Sequence, residues 1–125
     1  DDPLVPFDGG EIYGSRGKVR LGKILSTGKS IEFWVLRNKC SGTPVVTEEP
    51  DRDPRDGTNV IRKYYGNGIN GTEVVLYEIK GGGHTWPGGI QYKPVQVIGR
   101  TSRDIDATEV IWSFFKNQSR QSDQF

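Results

Sequence analysis

Apolar positions recur at helical spacing in two parts of the chain, and the first of these is residues 30–38. Ser26 or Thr27 precedes this stretch and is the expected N-cap, because a side-chain oxygen there can accept a backbone N–H of the first turn. The apolar face consists of Ile31, Trp34 and Val35. The pattern predicts an amphipathic helix that ends before Gly42.

The second stretch with helical spacing is residues 104–116, close to the end of the chain. Asp104 or Asp106 is the expected N-cap, and Glu109 stands three residues beyond Asp106, as in a capping box. The apolar stripe consists of Ala107, Val110, Ile111, Phe114 and Phe115. We therefore predict a second amphipathic helix here.

Between these helices the pattern changes to extended structure. Residues 59–65 and 73–79 are rich in Val, Ile, Leu and Tyr, and the Gly- and Asn-rich residues 66–71 join them, so a hairpin or two neighbouring strands are predicted. Residues 44–47 form a shorter extended piece. Residues 1–22 are rich in Pro, Gly and charged residues and are predicted to be a loop, as is the charged, proline-broken connector over residues 48–57.

Composition and charge narrow the class of protein. The 125 residues suffice for one domain, and 33% hydrophobic and 26% charged residues are typical of a globular protein. Seventeen basic and sixteen acidic residues give a net charge of +1, which argues against a nucleic-acid partner. No apolar run reaches the length of a membrane span, and no signal peptide is visible. One cysteine and one histidine make a structural zinc site improbable, so no metal is expected.

The single histidine, His84, is the strongest candidate for chemistry. It lies in Gly81-Gly82-Gly83-His84-Thr85-Trp86-Pro87-Gly88-Gly89, directly after the second predicted strand and before the last helix. Histidine is the usual proton shuttle near neutral pH. Five glycines around it remove side-chain bulk, and Trp86 offers a flat apolar wall. A strand, a histidine loop and a closing helix are the C-terminal layout of α/β-hydrolases.

In that layout the catalytic residues follow the order serine, acid, histidine, so an acid is expected upstream of His84. Asp2 is the best candidate, and its carboxylate would hold the imidazole in one tautomer. None of the eight serines lies in a G-x-S-x-G motif; Ser15, in Gly14-Ser15-Arg16-Gly17, comes nearest but has the wrong spacing. The nucleophile is therefore expected outside these residues, and the start at Asp1, without Met, is expected to result from either processing or truncation.

Four segments in this order resemble the C-terminal third of the polyhydroxybutyrate depolymerase-like esterases, a family that includes feruloyl and acetylxylan esterases. They are Asp2-Pro3-Leu4-Val5-Pro6-Phe7-Asp8-Gly9-Gly10, residues 30–40, the strand leading into Gly82-Gly83-His84-Thr85-Trp86-Pro87-Gly88, and residues 104–115. The resemblance covers nearly the whole chain. It implies that residues 1–125 are the C-terminal portion of one α/β-hydrolase catalytic domain, with a mostly parallel sheet flanked by helices and the nucleophile elbow absent.

The resemblance also implies roles for residues. Asp2 would be the acid and His84 the base of a Ser-His-Asp triad, and Trp86 would line the substrate pocket. The substrate would be a carboxylic ester, either a polyester or a plant cell-wall ester, without metal or cofactor. The enzyme would be secreted or periplasmic. Cys40 would be free, because residues 65–71, where many relatives carry its disulfide partner, contain no cysteine.

Two other readings stay open at this point. Trp86 and the glycine loop suit a non-catalytic module that binds a carbohydrate or an aromatic ligand, and the chain also suits a degenerate hydrolase kept for structure. As an esterase segment, the isolated chain is expected to be inactive and to associate with itself or with the N-terminal part of the domain, since it would expose surfaces that this part covers. Neither nucleic acid nor a membrane is expected as a partner.

Overall fold

The computed structural model describes residues 1–14, 17 and 19–118. Five strands and three helices follow one another in this part of the chain. The strands are β1 (Gly10–Tyr13), β2 (Arg20–Ile24), β3 (Val45–Glu48), β4 (Asn59–Tyr65) and β5 (Val74–Lys80). The helices are α1 (Thr27–Arg37), α2 (Val95–Ile98) and α3 (Ala107–Lys116), and a 3-10 turn covers Ile69–Gly71. None of these helices is long and apolar enough to cross a lipid bilayer.

The strands form two antiparallel sheets. β1 pairs with β2 in a two-stranded ribbon, and β3, β4 and β5 form a three-stranded sheet in that order. The expected C-terminal part of an α/β-hydrolase fold, with a mostly parallel sheet flanked by helices, is therefore wrong. Residues 49–58 and 66–73 connect neighbouring strands of the larger sheet, and such short connections favour antiparallel pairing, because a parallel pair needs a crossover of a dozen or more residues.

The predicted loop over residues 1–22 is also wrong in part, because β1 and the first three residues of β2 lie within it. The other predicted elements agree better with the structure. β4 has the predicted bounds, and β5 begins and ends one residue later than predicted. Residues 66–71 form the turn between them, where Asn67 and Asn70 adopt positive φ.

Local capping explains the bounds of α1. Ser26 is its N-cap, and its side chain accepts a hydrogen bond of 3.1 Å from the backbone N–H of Lys29. At the other end, Lys39 adopts φ 53° and the backbone N–H of Cys40 donates to the Val35 carbonyl at 3.0 Å. This is a Schellman motif, which satisfies carbonyls of the last turn and stops the helix earlier than glycine placement alone predicts.

The helices α1 and α3 lie over opposite faces of the larger sheet. On one face, α1 lies over Lys63, Tyr65 and Leu76, with Val35 buried beneath it. On the other face, α3 borders an open cleft of about 660 Å³ whose floor includes Tyr64 and Tyr77. Successive side chains of β4 and β5 point to opposite faces of the sheet. The residues under α1 and the residues of the cleft floor therefore lie on different faces.

Few apolar side chains are fully buried in this arrangement. Within the described residues, the buried apolar side chains are Val35, Val60, Val74, Ile98 and Ile105. Ile98 is 1% exposed and belongs to α2, directly beside the loop that follows β5. The best-packed part of the molecule therefore lies under the histidine loop.

Candidate functional site

Backbone contacts with residues 98–100 hold the loop that carries His84. The loop begins after β5 with Gly81 at φ 76°, and Gly82 makes an isolated parallel bridge with Arg100. The N–H of Gly83 then donates to the Arg100 carbonyl at 2.9 Å, and the N–H of His84 donates to the Ile98 carbonyl at 2.6 Å. The backbone at and directly before the histidine is thus fixed.

Two glycines allow this close approach. A Cβ on Gly83 would lie 2.2 Å from the Ile98 carbonyl oxygen and 2.4 Å from the Cα of Gly99. Gly99 itself adopts φ 79°, and a Cβ there would lie 2.5 Å from the Cα of Gly83. No side chain fits between the two backbones, which explains why glycine precedes the histidine.

Asp2 reaches His84 from the other end of the sequence. Its Oδ2 accepts a hydrogen bond from Nδ1 of His84 at 2.9 Å. Its Oδ1 accepts hydrogen bonds from the backbone N–H groups of Leu4 at 2.7 Å and Val5 at 2.9 Å. The carboxylate is therefore oriented by its own turn, and the structure brings together the two residues that the sequence predicted as acid and base.

This pairing defines the chemistry that His84 can perform. Because Nδ1 donates to a carboxylate, the neutral ring carries its proton there and presents a lone pair at Nε2. Nε2 has no hydrogen-bond partner among the residues that the structure describes, and the His84 side chain is 43% exposed. An oriented imidazole with an open nitrogen can act as a general base towards a group placed against it.

Side chains of the following loop support the histidine, and the sequence analysis did not identify them. The Tyr92 hydroxyl donates to the His84 carbonyl at 3.0 Å. The Gln91 carboxamide donates to the Gly99 carbonyl at 2.9 Å and accepts from the Thr101 N–H at 3.0 Å, so it fixes the segment against which the histidine loop lies. Neither residue stands in a recognisable motif, so no sequence signal marked them.

Trp86 stands two residues after His84 in the same loop, and its side chain is held in one orientation. Its indole N–H donates to the Thr108 hydroxyl at 3.0 Å, in the first turn of α3, while the residue remains 54% exposed. Gly88, with φ 81°, packs against Asp106, where a Cβ would lie 2.8 Å from the Asp106 Cα. Trp86 thus offers an accessible ring near the histidine, on the side where α3 begins.

Asp106 is the N-cap of α3, one of the two residues predicted for that role. Its Oδ1 accepts the N–H groups of Thr108 at 2.8 Å and Glu109 at 3.1 Å. The alternative, Asp104, is instead fully buried, and it accepts the N–H of Arg52 at 2.8 Å. The helix therefore begins three residues later than predicted.

The charged connector before β4 is tied to the segment that precedes α3. Burial raises the pKa of Asp56, but hydrogen bonds from the backbone of Arg103 and from Thr58 outweigh it and lower that pKa. The hydroxyls of Thr58 and Ser102 also lie 2.7 Å apart, at hydrogen-bond distance. These contacts hold residues 102 and 103, which lead into α3. The first turn of α3 in turn holds Trp86 through Thr108.

A nucleophile is not found beside His84 in the described part of the chain. Of the serines there, Ser26 and Ser30 belong to α1, Ser41 binds the Thr43 carbonyl, Ser102 is buried, and Ser113 lies in α3. None hydrogen-bonds to the histidine. Ser15, the serine nearest to the elbow pattern, lies outside the described residues.

Two further features concern ligands and covalent bonds. Over residues 1–14, 17 and 19–118, no group of three or more His, Cys, Asp or Glu side chains is arranged to hold a metal ion. Cys40 carries a free thiol, and its Sγ lies 3.7 Å from the Thr72 carbonyl oxygen, beside the turn in which the sequence shows no partner cysteine.

Comparison with curated proteins finds a relative that matches most of this chain. The chain is 31% identical over 118 residues to a protein of Nocardia uniformis subsp. tsuyamanensis named "Putative esterase NocK". The match covers 90% of this chain and 34% of the relative, so the chain spans about a third of the relative's length. No family model matches the chain, and no solved structure matches it. The similarity supports an esterase-like relationship, without support for the narrower polyhydroxybutyrate depolymerase or feruloyl esterase family.

Proposed function

We propose that this chain supplies the acid and the base of a serine esterase site, and that the nucleophilic serine belongs to polypeptide outside these 125 residues. The observation that carries the proposal is the 2.9 Å contact between His84 Nδ1 and Asp2 Oδ2, with Nε2 open. The similarity to an esterase over one third of its length supports the same assignment.

The roles follow from the geometry of the pair. Nε2 of His84 would take the serine proton as the serine oxygen attacks the ester carbonyl, and Asp2 would stabilise the imidazolium that forms. Collapse of the tetrahedral intermediate would pass that proton to the leaving alkoxide. Water would then lose a proton to Nε2 as its oxygen attacks the acyl-enzyme. Collapse of the second tetrahedral intermediate would return that proton to the serine oxygen and release the acid. The Trp86 ring would form one wall for the ester. The complete enzyme would be secreted or periplasmic, as the family resemblance implies.

The first experiment uses the isolated chain with p-nitrophenyl butyrate. We expect hydrolysis no faster than that by free imidazole at equal concentration, because His84 has no serine to activate. Turnover with burst kinetics that His84→Ala abolishes would contradict the proposal that the nucleophile lies elsewhere. Tyr13→Phe, at a position 50% exposed at the end of β1, is a control for general effects of substitution.

The second experiment tests the assignment of acid and base in a complete enzyme. The described chain replaces the matching third of the Nocardia relative, and kcat/KM is compared among the chimera, its Asp2→Asn form and its His84→Ala form. For a serine triad we expect losses on the order of 10³-fold or more from either change. A chimera that hydrolyses the ester equally well without His84 would refute the assignment.

The exposed Trp86 also favours a second candidate function, a module that binds carbohydrate or aromatic ligands without catalysis. Its ring is 54% exposed and held by Thr108, as a stacking platform requires. Titration of the isolated chain with xylohexaose or ferulic acid, followed by Trp fluorescence, tests this. Saturable binding lost in Trp86→Ala but kept in His84→Ala would favour the module over the esterase.

A further inference from the structure

Gln91 lies in the loop that follows the histidine segment, and its carboxamide is fully used on backbone groups. Its Nε2 donates to the carbonyls of Gly99 and Lys93, each at 2.9 Å. Its Oε1 accepts the N–H of Thr101 at 3.0 Å. Since Nε2 faces two carbonyls and Oε1 faces an N–H, only one orientation of the amide satisfies all three groups. Gln91 therefore joins its own loop to residues 99–101.

The same part of the chain, residues 98–101, also holds the histidine. The His84 N–H donates to the Ile98 carbonyl at 2.6 Å, and the N–H of the preceding residue donates to the Arg100 carbonyl at 2.9 Å. The groups that bind Gln91 and the groups that bind the histidine loop thus alternate along residues 98–101. A shift of this segment would carry the histidine backbone with it.

Tyr92 holds the other peptide group of His84. Its hydroxyl donates to the His84 carbonyl at 3.0 Å, so the N–H and the carbonyl of the histidine are bound to separate partners, Ile98 and Tyr92. With both peptide groups held, the direction of the Cα–Cβ bond is set, and only the side-chain torsions of the ring remain free. The position of the imidazole therefore depends on Gln91, through residues 98–101, and on Tyr92 directly.

The contact between His84 and Asp2 requires this accuracy, because different parts of the chain hold the two residues. The N–H groups of Leu4 and Val5 orient the Asp2 carboxylate within its own turn. The distance between Nδ1 and Oδ2 is 2.9 Å, and an N–H···O hydrogen bond spans only about 2.7–3.2 Å. A displacement of the histidine backbone by about 1 Å would therefore break the contact, and a misplacement of that size can slow a catalytic step about 100-fold.

We propose that Gln91 and Tyr92 are positioning residues for His84, which hold the imidazole so that Nδ1 meets Asp2 and Nε2 stays open. Both side chains bind backbone groups, so they act on the ring through the main chain. The consequence for ester hydrolysis rests on the proposed function, whereas the orientation of the ring does not. The two effects are therefore measured separately.

The ring is observed directly by long-range ¹H–¹⁵N correlation spectroscopy of the ¹⁵N-labelled chain, because His84 is its only histidine. At about pH 9 the imidazole of a histidine is neutral, and the spectrum shows which nitrogen carries the proton. We expect Nδ1 to carry it in the parent. In Asp2→Ala the proton should move towards Nε2, the nitrogen that an unpaired histidine prefers. These two spectra define the paired and the unpaired ring.

Tyr92→Phe removes only the hydroxyl, and Gln91→Leu removes the carboxamide at similar size, so neither adds a charge near the ring. Each should lower the ratio of paired to unpaired ring about fivefold or more, the equilibrium equivalent of one net hydrogen bond. The matched controls Tyr13→Phe, at the end of β1, and Gln118→Leu, just after α3, should leave the ring unchanged. Far-UV circular dichroism checks that each variant is folded, and Tyr92→Phe decides the proposal alone if Gln91→Leu unfolds.

The second measurement uses the chimera with the Nocardia relative and p-nitrophenyl butyrate. Misplacement of His84 should lower kcat and leave KM unchanged, because the ring transfers protons and does not bind the ester. We expect kcat to fall between about fivefold and about 100-fold in Tyr92→Phe and in Gln91→Leu.

Each outcome decides one of the two proposals. A ring that Tyr92→Phe or a folded Gln91→Leu leaves in the paired state overturns the positioning role of that residue, even where the variant is less stable. A ring that leaves the paired state in these variants while kcat of the chimera stays unchanged supports the positioning. That result contradicts the proposed function, in which His84 is the base.

Discussion

The packing of Gly83 against Gly99 predicts that a single methyl group disrupts the histidine loop. In Gly83→Ala the new Cβ would lie 2.2 Å from the Ile98 carbonyl oxygen and 2.6 Å from the Gly99 carbonyl carbon, which are backbone atoms that cannot move aside as a side chain does. Residues 82–84 and residues 98–100 must therefore move apart. Gly83 has no positive φ, so the cost comes from the lack of space alone.

The magnitude follows from the contacts that separation would break. The hydrogen bonds at stake are His84 N–H to Ile98 at 2.6 Å and Gly83 N–H to Arg100 at 2.9 Å. Each contributes about 1 kcal/mol net, and steric overlap in a packed region costs about 1–3 kcal/mol. We therefore expect Gly83→Ala to lower the free energy of unfolding by about 3–5 kcal/mol, a large share of the stability of a small domain.

Gly28→Ala is the matched control, because it adds the same methyl group within α1. A Cβ on Gly28 would meet no atom within 4 Å, and alanine is favoured over glycine inside a helix by about 0.5–1 kcal/mol. The two alanine variants are therefore expected to change stability in opposite directions. Urea unfolding followed by circular dichroism measures both free energies. A Gly83→Ala variant within about 0.5 kcal/mol of the parent would refute the packing argument.

Two further predictions concern stability away from the loop. Hydrogen bonds from Lys63, at 2.8 Å, and from Lys80 lower the pKa of the mostly buried Glu78. The stability that the ionised Glu78 contributes is therefore present above its unfolded-state pKa near 4.3. It is lost as pH falls through the lower folded-state pKa. The stability difference between the parent and Glu78→Gln should accordingly be about 1–3 kcal/mol at pH 7 and shrink towards pH 3; a difference independent of pH would contradict this. Asp106→Ala removes the N-cap of α3 and should cost about 1 kcal/mol in urea unfolding, whereas Asp8→Ala, outside any helix, should cost less than half as much.

The elements that the sequence predicts well are those that local patterns determine. The strands β4 and β5 are rich in Val, Ile, Leu and Tyr and are joined by a Gly- and Asn-rich turn, and the caps Ser26 and Asp106 are local signals for helix starts. The ribbon of β1 and β2 was missed because its strands are short and rich in glycine and charge. Its existence depends on pairing between the strands, for which neither carries a periodic signal.

The direction of strand pairing could not be derived from those local patterns. A strand followed by a histidine loop and a helix suggested a parallel sheet, but the pattern of a single strand does not specify its neighbours. The connections of eight and ten residues between β3, β4 and β5 were the better guide, since they suit antiparallel neighbours. The prediction failed because the family layout was given more weight than connection length.

The candidate site shows a similar division between short-range and long-range information. The glycine frame marked His84, yet 82 positions separate it from Asp2, and only the expected order of catalytic residues and the family resemblance connected them. Gln91 and Tyr92 act through backbone carbonyls, which any donor of suitable length can reach, so residue type alone does not reveal them.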